Sequence, residues 1–544
     1  MTQATTEGAP KRVSLARSTA VMTAGTVLSR VTGVVRLAAM AAALGIAETR
    51  LTDTYNLANT APNILYELVL GGVVTSVFVP LFVELFEKED RERAWQVISG
   101  IVTVSLLVLS AVALVGVALA PLIARFYSGR LGGADEEVQR ATITFLLRLF
   151  IPQIVLYGIY FMGAGILNAR KRFGPPMWTP IVNNIVLIGV FIVFHEVYGA
   201  VTLHTVTNTQ LLVIGLGTTI SVAPMGLLLL PYLRRVGRFR PTLSLDHPAI
   251  RKLGRLAVFV VGFVVANQGG YVVIQWLANR EQGAYTAYVS AFTFFLMPVG
   301  LFVWSITTAL LPSLSEHATH QRWREFGDQI SVGIRATLFL MVPATLGYLA
   351  LGSILVRVLL QHGVVTAAST ALVTDVLRLF VLGLVQFSIY QLLVRAFYAV
   401  QDTRTPFIVN LVVVVVNIAV AVPFFIAWQV RGIAAAQAIA NTVGMVLLAV
   451  RLSRRSGGIG WRAVGGSAVR ISAAALAMGA VVWFGVVVTD RVTADATYWL
   501  QAGILLVLVA VGTAVYLGAA RVARVQELSY VVNLLRRRSG SAPP

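Results

Sequence analysis

Apolar runs of about 20 residues or more, the length that crosses a lipid hydrocarbon core, follow one another along almost the whole chain. Hydrocarbon offers a backbone no water to bond. Each run must therefore close its own hydrogen bonds as a helix or join a closed barrel. The runs are continuous rather than alternating, which selects helices. Only 12% of the 544 residues are charged, against about 25% in a soluble domain. We therefore expect an all-α integral membrane protein with about fourteen transmembrane helices. The spans fall at residues 18–44, 55–86, 95–124, 140–168, 177–197, 209–233, 252–279, 284–314, 328–352, 368–400, 405–428, 432–453, 467–488 and 497–520. The longest of them must tilt, kink or extend past the bilayer.

The net charge of +20 sits between the apolar runs. It reads as loops facing anionic membrane lipid rather than as a nucleic-acid surface. With the N-terminal Lys11, Arg12 and Arg17 in the cytoplasm, the clusters Lys88–Arg93, Arg170–Arg172, Arg234–Arg251, Arg322–Arg324, Arg404, Arg454–Arg462 and Arg521–Arg538 all fall on the same side. That alternation puts both termini in the cytoplasm. The chain has no cysteine, so disulfides and thiolate chemistry are excluded. His195, His204, His247, His317, His320 and His362 lie in or near loops without metal-ligand company. No P-loop, zinc-protease motif or nucleophile elbow is present. No catalytic residue, metal or cofactor is expected.

The chain repeats itself. Val74–Leu81 resembles Ile306–Ser313, with Pro80 and Pro312 separated by 232 positions. At the same offset Gly163–Asn168 falls opposite Arg395–Val400, and Asn184 and Asn417 follow at 233. Each copy holds six spans, an even number, so both have the same orientation. Two parallel six-helix lobes related by a pseudo-two-fold axis along the membrane normal are expected, with a substrate site between them. The divisions are a cytoplasmic segment 1–17, an N-lobe 18–235, a C-lobe 236–455, two extra C-terminal spans within 456–522, and a basic amphipathic tail 523–544.

Charges inside a bilayer cost about 2.5–3.5 kcal/mol on insertion scales, yet the first span carries Arg30 and Arg36. Six residues apart, they project about 120° apart and about 9 Å along the axis. They flank Gly33 and share one broad face, as a water-filled cavity wall would require. Guanidinium groups also match phosphate through their planar fork. Snorkelling or an intramembrane ion pair is the plainer alternative. Asn56, Asn59, Asn63 and Glu67 form a stripe on the second span, bent at Pro62; Asn56 alternatively caps that helix, and Glu67 is the expected counter-charge of the arginines. Asn267, Gln268 and Gln275 on the seventh span, and Gln386, Tyr390, Gln391 and Arg395 on the tenth, face either a ligand or neighbouring helices. Arg148, Arg335 and Arg378 read as snorkelling, and Asp375 as an intrahelical partner of Arg378. The candidate substrate-binding set is therefore Arg30, Arg36, Asn63, Glu67, Asn267, Gln268, Gln391 and Arg395, with Asp53, Gly33, Pro80 and Pro312 as gating or structural positions.

Leu28-Ser29-Arg30-Val31-Thr32-Gly33-Val34-Val35-Arg36 resembles the first-helix signature of the MurJ (MviN) lipid II flippases. Ala61–Leu65 with Gly72 and Phe78–Pro80, Ala309–Ser315, and Ala396–Pro406 are similar to that family's second helix, the end of its eighth and its tenth-to-eleventh turn. The resemblance implies the fold of the multidrug/oligosaccharidyl-lipid/polysaccharide exporter superfamily, a bacterial inner-membrane location, and movement of a lipid-linked cell-wall precursor by alternating access. It also implies that Arg30 and Arg36 receive the diphosphate head, and that Asp53 and Asn63 match an acid and an amide of the family. Leu37, Tyr66, Glu67, Phe292, Thr293 and Leu296 stand where the family carries other charges. Another lipid-linked glycan therefore stays open as cargo. So do a cation-coupled exporter of the same superfamily and a non-transporting scaffold for peptidoglycan synthases. The energy source, whether membrane potential or a monovalent cation, also stays open.

Overall fold

The computed structural model describes residues 13–66, 79–129, 133–237, 239–242, 265, 268–493 and 497–528. In chain order the helices are α1 Val13–Leu44, α2 Leu51–Tyr66, α3 Val79–Lys88, α4 Arg91–Ser128, α5 Gly133–Phe150, α6 Gln153–Ala169, α7 Gly174–Tyr198, α8 Asn208–Leu227 and α9 Leu230–Arg234. Then come α10 at 268–278, α11 Ala284–Pro298, a π-helical turn Val299–Val303, α12 Trp304–Thr319, α13 Trp323–Leu360, α14 Ala367–Val381, α15 Leu384–Ala399, α16 Arg404–Trp428, α17 Val430–Ser456, α18 Trp461–Thr493 and α19 Tyr498–Val522. Among the described residues, eleven helical stretches are long and apolar enough to cross a membrane, or twelve when α14 and α15 count as one bent span. The second and seventh expected spans fall largely on 67–78 and 243–264, outside the described residues.

Helices α1 to α9 pack on one another, chiefly α1 on α7, α7 on α8, α4 on α5 and α6, and α2 on α5 and α6. A second group forms around α13 and α17, which hold α11, α12, α14, α15 and α16. The last two spans are appended to that group through α13. Large apolar side chains point outward, with Leu114 73%, Ile426 79% and Val469 72% exposed, a surface that only lipid covers favourably. At 38 residues each, α4 and α13 run about 57 Å, well past a hydrocarbon core of about 30 Å.

Three expected spans are interrupted. The fourth breaks at Ile151-Pro152 into α5 and α6, because proline lacks the N–H that would continue the ladder. The tenth breaks at Leu382-Gly383 with a 50° bend. A Cβ on Gly383 would lie 2.7 Å from the Ala438 Cα, so glycine lets α17 approach the break. The eighth contains the π turn, which includes Gly300. Helix ends on the face nearest the N-terminus share one device. Lys171, Gln321 and Gln401 take left-handed backbone angles, φ 57°, 56° and 59°. The next N–H reaches back to Leu167, His317 and Phe397 respectively, which closes the last carbonyls. Lys171 and Gln401 end corresponding helices of the two sequence repeats.

Candidate functional site

Side-chain hydrogen bonds join the helix groups on the face away from the N-terminus. It is built from two carboxylates of the first group. Asp53, fully buried in the first turn of α2, accepts hydrogen bonds from the backbone N–H groups of Gly283 (2.6 Å) and Thr286 (2.8 Å) and from the Thr286 hydroxyl (2.6 Å). It thereby caps α11 across the seam, where the free N–H groups and the helix dipole favour an anion. Gly283 has φ +77°, and a Cβ there would collide with Ala47, so the position requires glycine. Glu48, in the turn after α1, does the same for α14. One oxygen accepts from the Thr366 N–H (2.7 Å) and the Thr366 and Ser369 hydroxyls (2.8 and 2.6 Å). The other accepts from Ile46 and Ala47 N–H. Burial would raise this carboxyl, but the bonds from Ser369, Ile46 and Thr366 hold it below its ordinary value.

A chain of polar side chains continues the closure. Gln139 and Asn279 bond reciprocally at 3.1 and 3.2 Å. Asn279 donates to the Tyr127 carbonyl, Tyr127 donates to Gln275, and Gln275 donates to the Tyr285 hydroxyl, which also meets Thr60. Asn56 donates to Thr286, so it bridges the groups one turn inside α2 rather than capping that helix. Gln282 donates to the Ala47 carbonyl and Arg50 to that of Asn279. Sequence spacing does not reveal Glu48, Thr366, Ser369 or Tyr285, because the partners are hundreds of residues apart; the Thr366-x-x-Ser369 cap is the one local cue.

Arg30 and Arg36 lie deeper, both half-buried. Arg30 crosses the seam: its guanidinium stands 4.9 Å from the centre of the Trp304 ring. A Cβ on Gly300 would come within 3.3 Å of its Nε, so the π turn and glycine make room for it. Arg36 turns into the first group, within electrostatic reach of Tyr55 and Tyr157. The two arginines therefore share a helix but not one contact in this conformation. Among the described residues neither has a carboxylate within ion-pair distance. Asn184 of α7 fixes the helix beside them by donating to the Ser29 carbonyl (3.2 Å) and the Thr32 hydroxyl (3.0 Å).

Asn63 is exposed and donates to Asn59 O of its own helix. Gln268 and Gln391 are half-buried and Arg395 exposed; they lie on α10 and α15, apart from the arginines on α1. Glu67 and Asn267 lie outside the described residues. Gly33 has Asn184 Nδ2 at 3.9 Å from an added Cβ, which is ordinary contact. Pro80 begins α3 and Pro312 lies inside α12. Asp375 forms the expected intrahelical pair with Arg378, at 3.8 Å, and bonds Arg431 of α17 more closely, at 2.9 and 3.1 Å. One simpler reading is corrected. Arg335 pairs at 3.3 Å with Glu527, which also accepts from Ser467. The long-range partner was in each case invisible to local spacing.

Comparison with known proteins places the chain in a family. The sequence profile of the family described as lipid II flippase MurJ matches residues 40–500. A probable lipid II flippase MurJ of Rhizobium meliloti is 29% identical over 456 residues, 80% of each chain. The lipid II flippase MurJ of Burkholderia cenocepacia is 26% identical over 414 residues, 74% of this chain and 77% of that one. A solved MurJ in an inward closed conformation superimposes with a TM-score of 0.74 at 22% identity, covering 92% of this chain and 98% of that one. An inward-facing multidrug resistance transporter of the MATE family, described as of the MOP superfamily, shares the fold with a TM-score of 0.64 at 12% identity, over 78% of this chain and 96% of that one. The profile spans most of the sequence, and the chain belongs to the MurJ lipid II flippase family.

Proposed function

We propose that this chain carries a polyprenyl-diphosphate-linked peptidoglycan precursor, lipid II, from the inner to the outer leaflet of a bacterial inner membrane, with both termini in the cytoplasm. The observation that carries the reading is Arg30: a half-buried cation midway along a membrane-spanning helix, at the seam between two helix groups, held by an aromatic face rather than by a described carboxylate. A cation in a membrane span that no described carboxylate pairs is suited to an arriving anion. A diphosphate fits the guanidinium fork. With residues 18–235 and 236–455 acting as lobes, the Asp53 and Glu48 caps close the outer side while the head enters from the cytoplasm. Rocking breaks the caps and opens that side. No bond is made or broken. The membrane potential, positive outside, favours outward movement of a net anion by about 2.3 kcal/mol per charge per 100 mV. Peptidoglycan synthases consume the product outside and are the expected partners.

Depleting the protein should cause lipid II to accumulate on the inner leaflet. Accumulation of another lipid-linked glycan would reassign the cargo, and accumulation of none would overturn the reading. Replacing Arg30 and Arg36 together by Ala should abolish export at unchanged membrane abundance. Undiminished export in that variant would indicate a scaffold.

A further inference from the structure

A shallow groove of about 370 Å³ opens between α4 and α5, near the face away from the N-terminus. Pro121 of α4 faces Glu137, Arg140, Thr144 and Arg148 of α5 across it. Those four residues recur at helical spacing and form one stripe. The opposite face of α5 holds the buried Ile143, Leu146 and Phe150 and packs on α2, where Phe150 meets the Tyr55 ring. The groove therefore opens away from α2. Its charge is unbalanced. Arg140 is half-buried and Arg148 exposed, and among the described residues neither guanidinium has a hydrogen-bond or ion-pair partner. Glu137, the one acid in the lining, is exposed and pairs with neither. Asp135 belongs to His204 at 2.7 Å, and Glu136 does not border the groove. The undescribed turn between the two helices, 130–132, reads Arg-Leu-Gly and supplies no acid. The Thr144 hydroxyl donates to the Arg140 carbonyl at 2.7 Å, which leaves the guanidinium groups as the donors for a ligand.

Depth indicates where the ligand comes from. If its excess length is shared equally, α4 projects about 13 Å past the hydrocarbon core at each end. Counted from the start of α5, Arg140 stands about 10 Å down the helix, near the edge of the core, and Arg148 about 22 Å, inside it. Side chains on a helix lean toward its N-terminal end. For α5 that end is the nearer membrane surface, so Arg148 leans up toward Arg140, and both line one groove. A guanidinium at that depth is costly without an anion, and the anion present at that boundary is a lipid phosphate. Deeper on the Pro121 face of α4, Leu114 is 73% exposed and offers a surface for acyl chains. We propose that this groove binds an anionic phospholipid of the leaflet away from the N-terminus, its phosphate gripped by Arg140 and Arg148. Arginine provides the forked geometry that a phosphate accepts. Two guanidinium groups against one carboxylate leave a single positive charge, which one phosphodiester neutralises.

The test uses the full chain in nanodiscs containing a photoactivatable phosphatidylglycerol, with adducts mapped by peptide. Adducts are expected on segments 114–126 and 137–148. The double variant Arg140→Gln with Arg148→Gln should lower them roughly tenfold or more. The single exposed change Arg148→Gln should lower them about fivefold, and it keeps the test decisive should the double variant fail to fold. Glu137→Gln, which removes the one repelling charge, should raise them. Labelling of these segments that is unchanged by Arg148→Gln, or equal with a phosphatidylcholine probe, overturns the proposal. Millimolar inorganic phosphate separates the sources. Undiminished labelling supports a lipid-borne headgroup, whereas full competition would assign the site to the free anion and overturn the lipid assignment. Precursor transport does not enter the readout, so failure here is distinct from failure of the flippase reading.

Discussion

Asp53 supplies, for a helix of the other group, the capping side chain that a helix normally draws from its own sequence, and Glu48 adds to the cap that Thr366 already gives α14. A carboxylate satisfies several donors at once, and at Asp53 it does so in a buried place where an unpaired donor costs about 1–3 kcal/mol. Asp53→Asn keeps one acceptor oxygen but turns an amide toward a donor. We expect closure on that face to weaken by about 1–3 kcal/mol. Spin labels at Thr209→Cys and Ala368→Cys, in a chain that otherwise lacks cysteine, should then report a longer distance population. The Glu48 carboxyl is held below its ordinary value against the opposing effect of burial. Its contribution is therefore complete above about pH 4.3, the ordinary carboxylate value, and is lost as pH falls through the lower folded-state value. The part of closure that Glu48→Gln removes should stay unchanged from pH 8 to about 5 and be lost only in stronger acid. A Glu48-dependent part that is already absent near neutrality would show that Glu48 does not hold the junction. At this scale the sequence was half legible. Arg30 and Arg36 stand out because charge is rare in an apolar run. Glu48 looks like any loop acid, since its partners are 318 and 321 positions away.

Elements were read correctly in kind, and their interruptions were not. Hydropathy reports that a stretch is buried in lipid, and a broken helix is as apolar as a whole one. Hence the fourth and tenth spans looked continuous, although Ile151-Pro152 and Leu382-Gly383 divide them. Proline at 152 was a visible cue. Gly383 became meaningful only when Ala438 was found against it. Gly383→Ala should push α17 from the break and cost about 1–3 kcal/mol of stability by overpacking, read as a lower unfolding temperature in detergent. An unchanged temperature would mean that the bend relaxes freely. The left-handed ends at Lys171, Gln321 and Gln401 all lie on one face, where a helix must stop and the chain reverse at once.

For the molecule as a whole, every described side-chain hydrogen bond between the helix groups 13–234 and 268–456 lies toward the face away from the N-terminus. A cysteine pair at Ala47 and Gln282, whose main-chain oxygen and side chain already meet at 2.9 Å, should form a disulfide on oxidation. Precursor export should stop in the oxidised protein and return on reduction. Export that continues with the bridge formed would show that this seam need not open.

The cross-chain caps carry a consequence for the empty protein. A membrane that stores energy as an ion gradient cannot tolerate an open pipe. Each excursion of an unloaded carrier toward the exterior would strip the buried start of α11 and the start of α14 of their anions together, with nothing gained in return. Rest is therefore the watertight state, and departure from it is conditional on freight whose own attachment outweighs that loss.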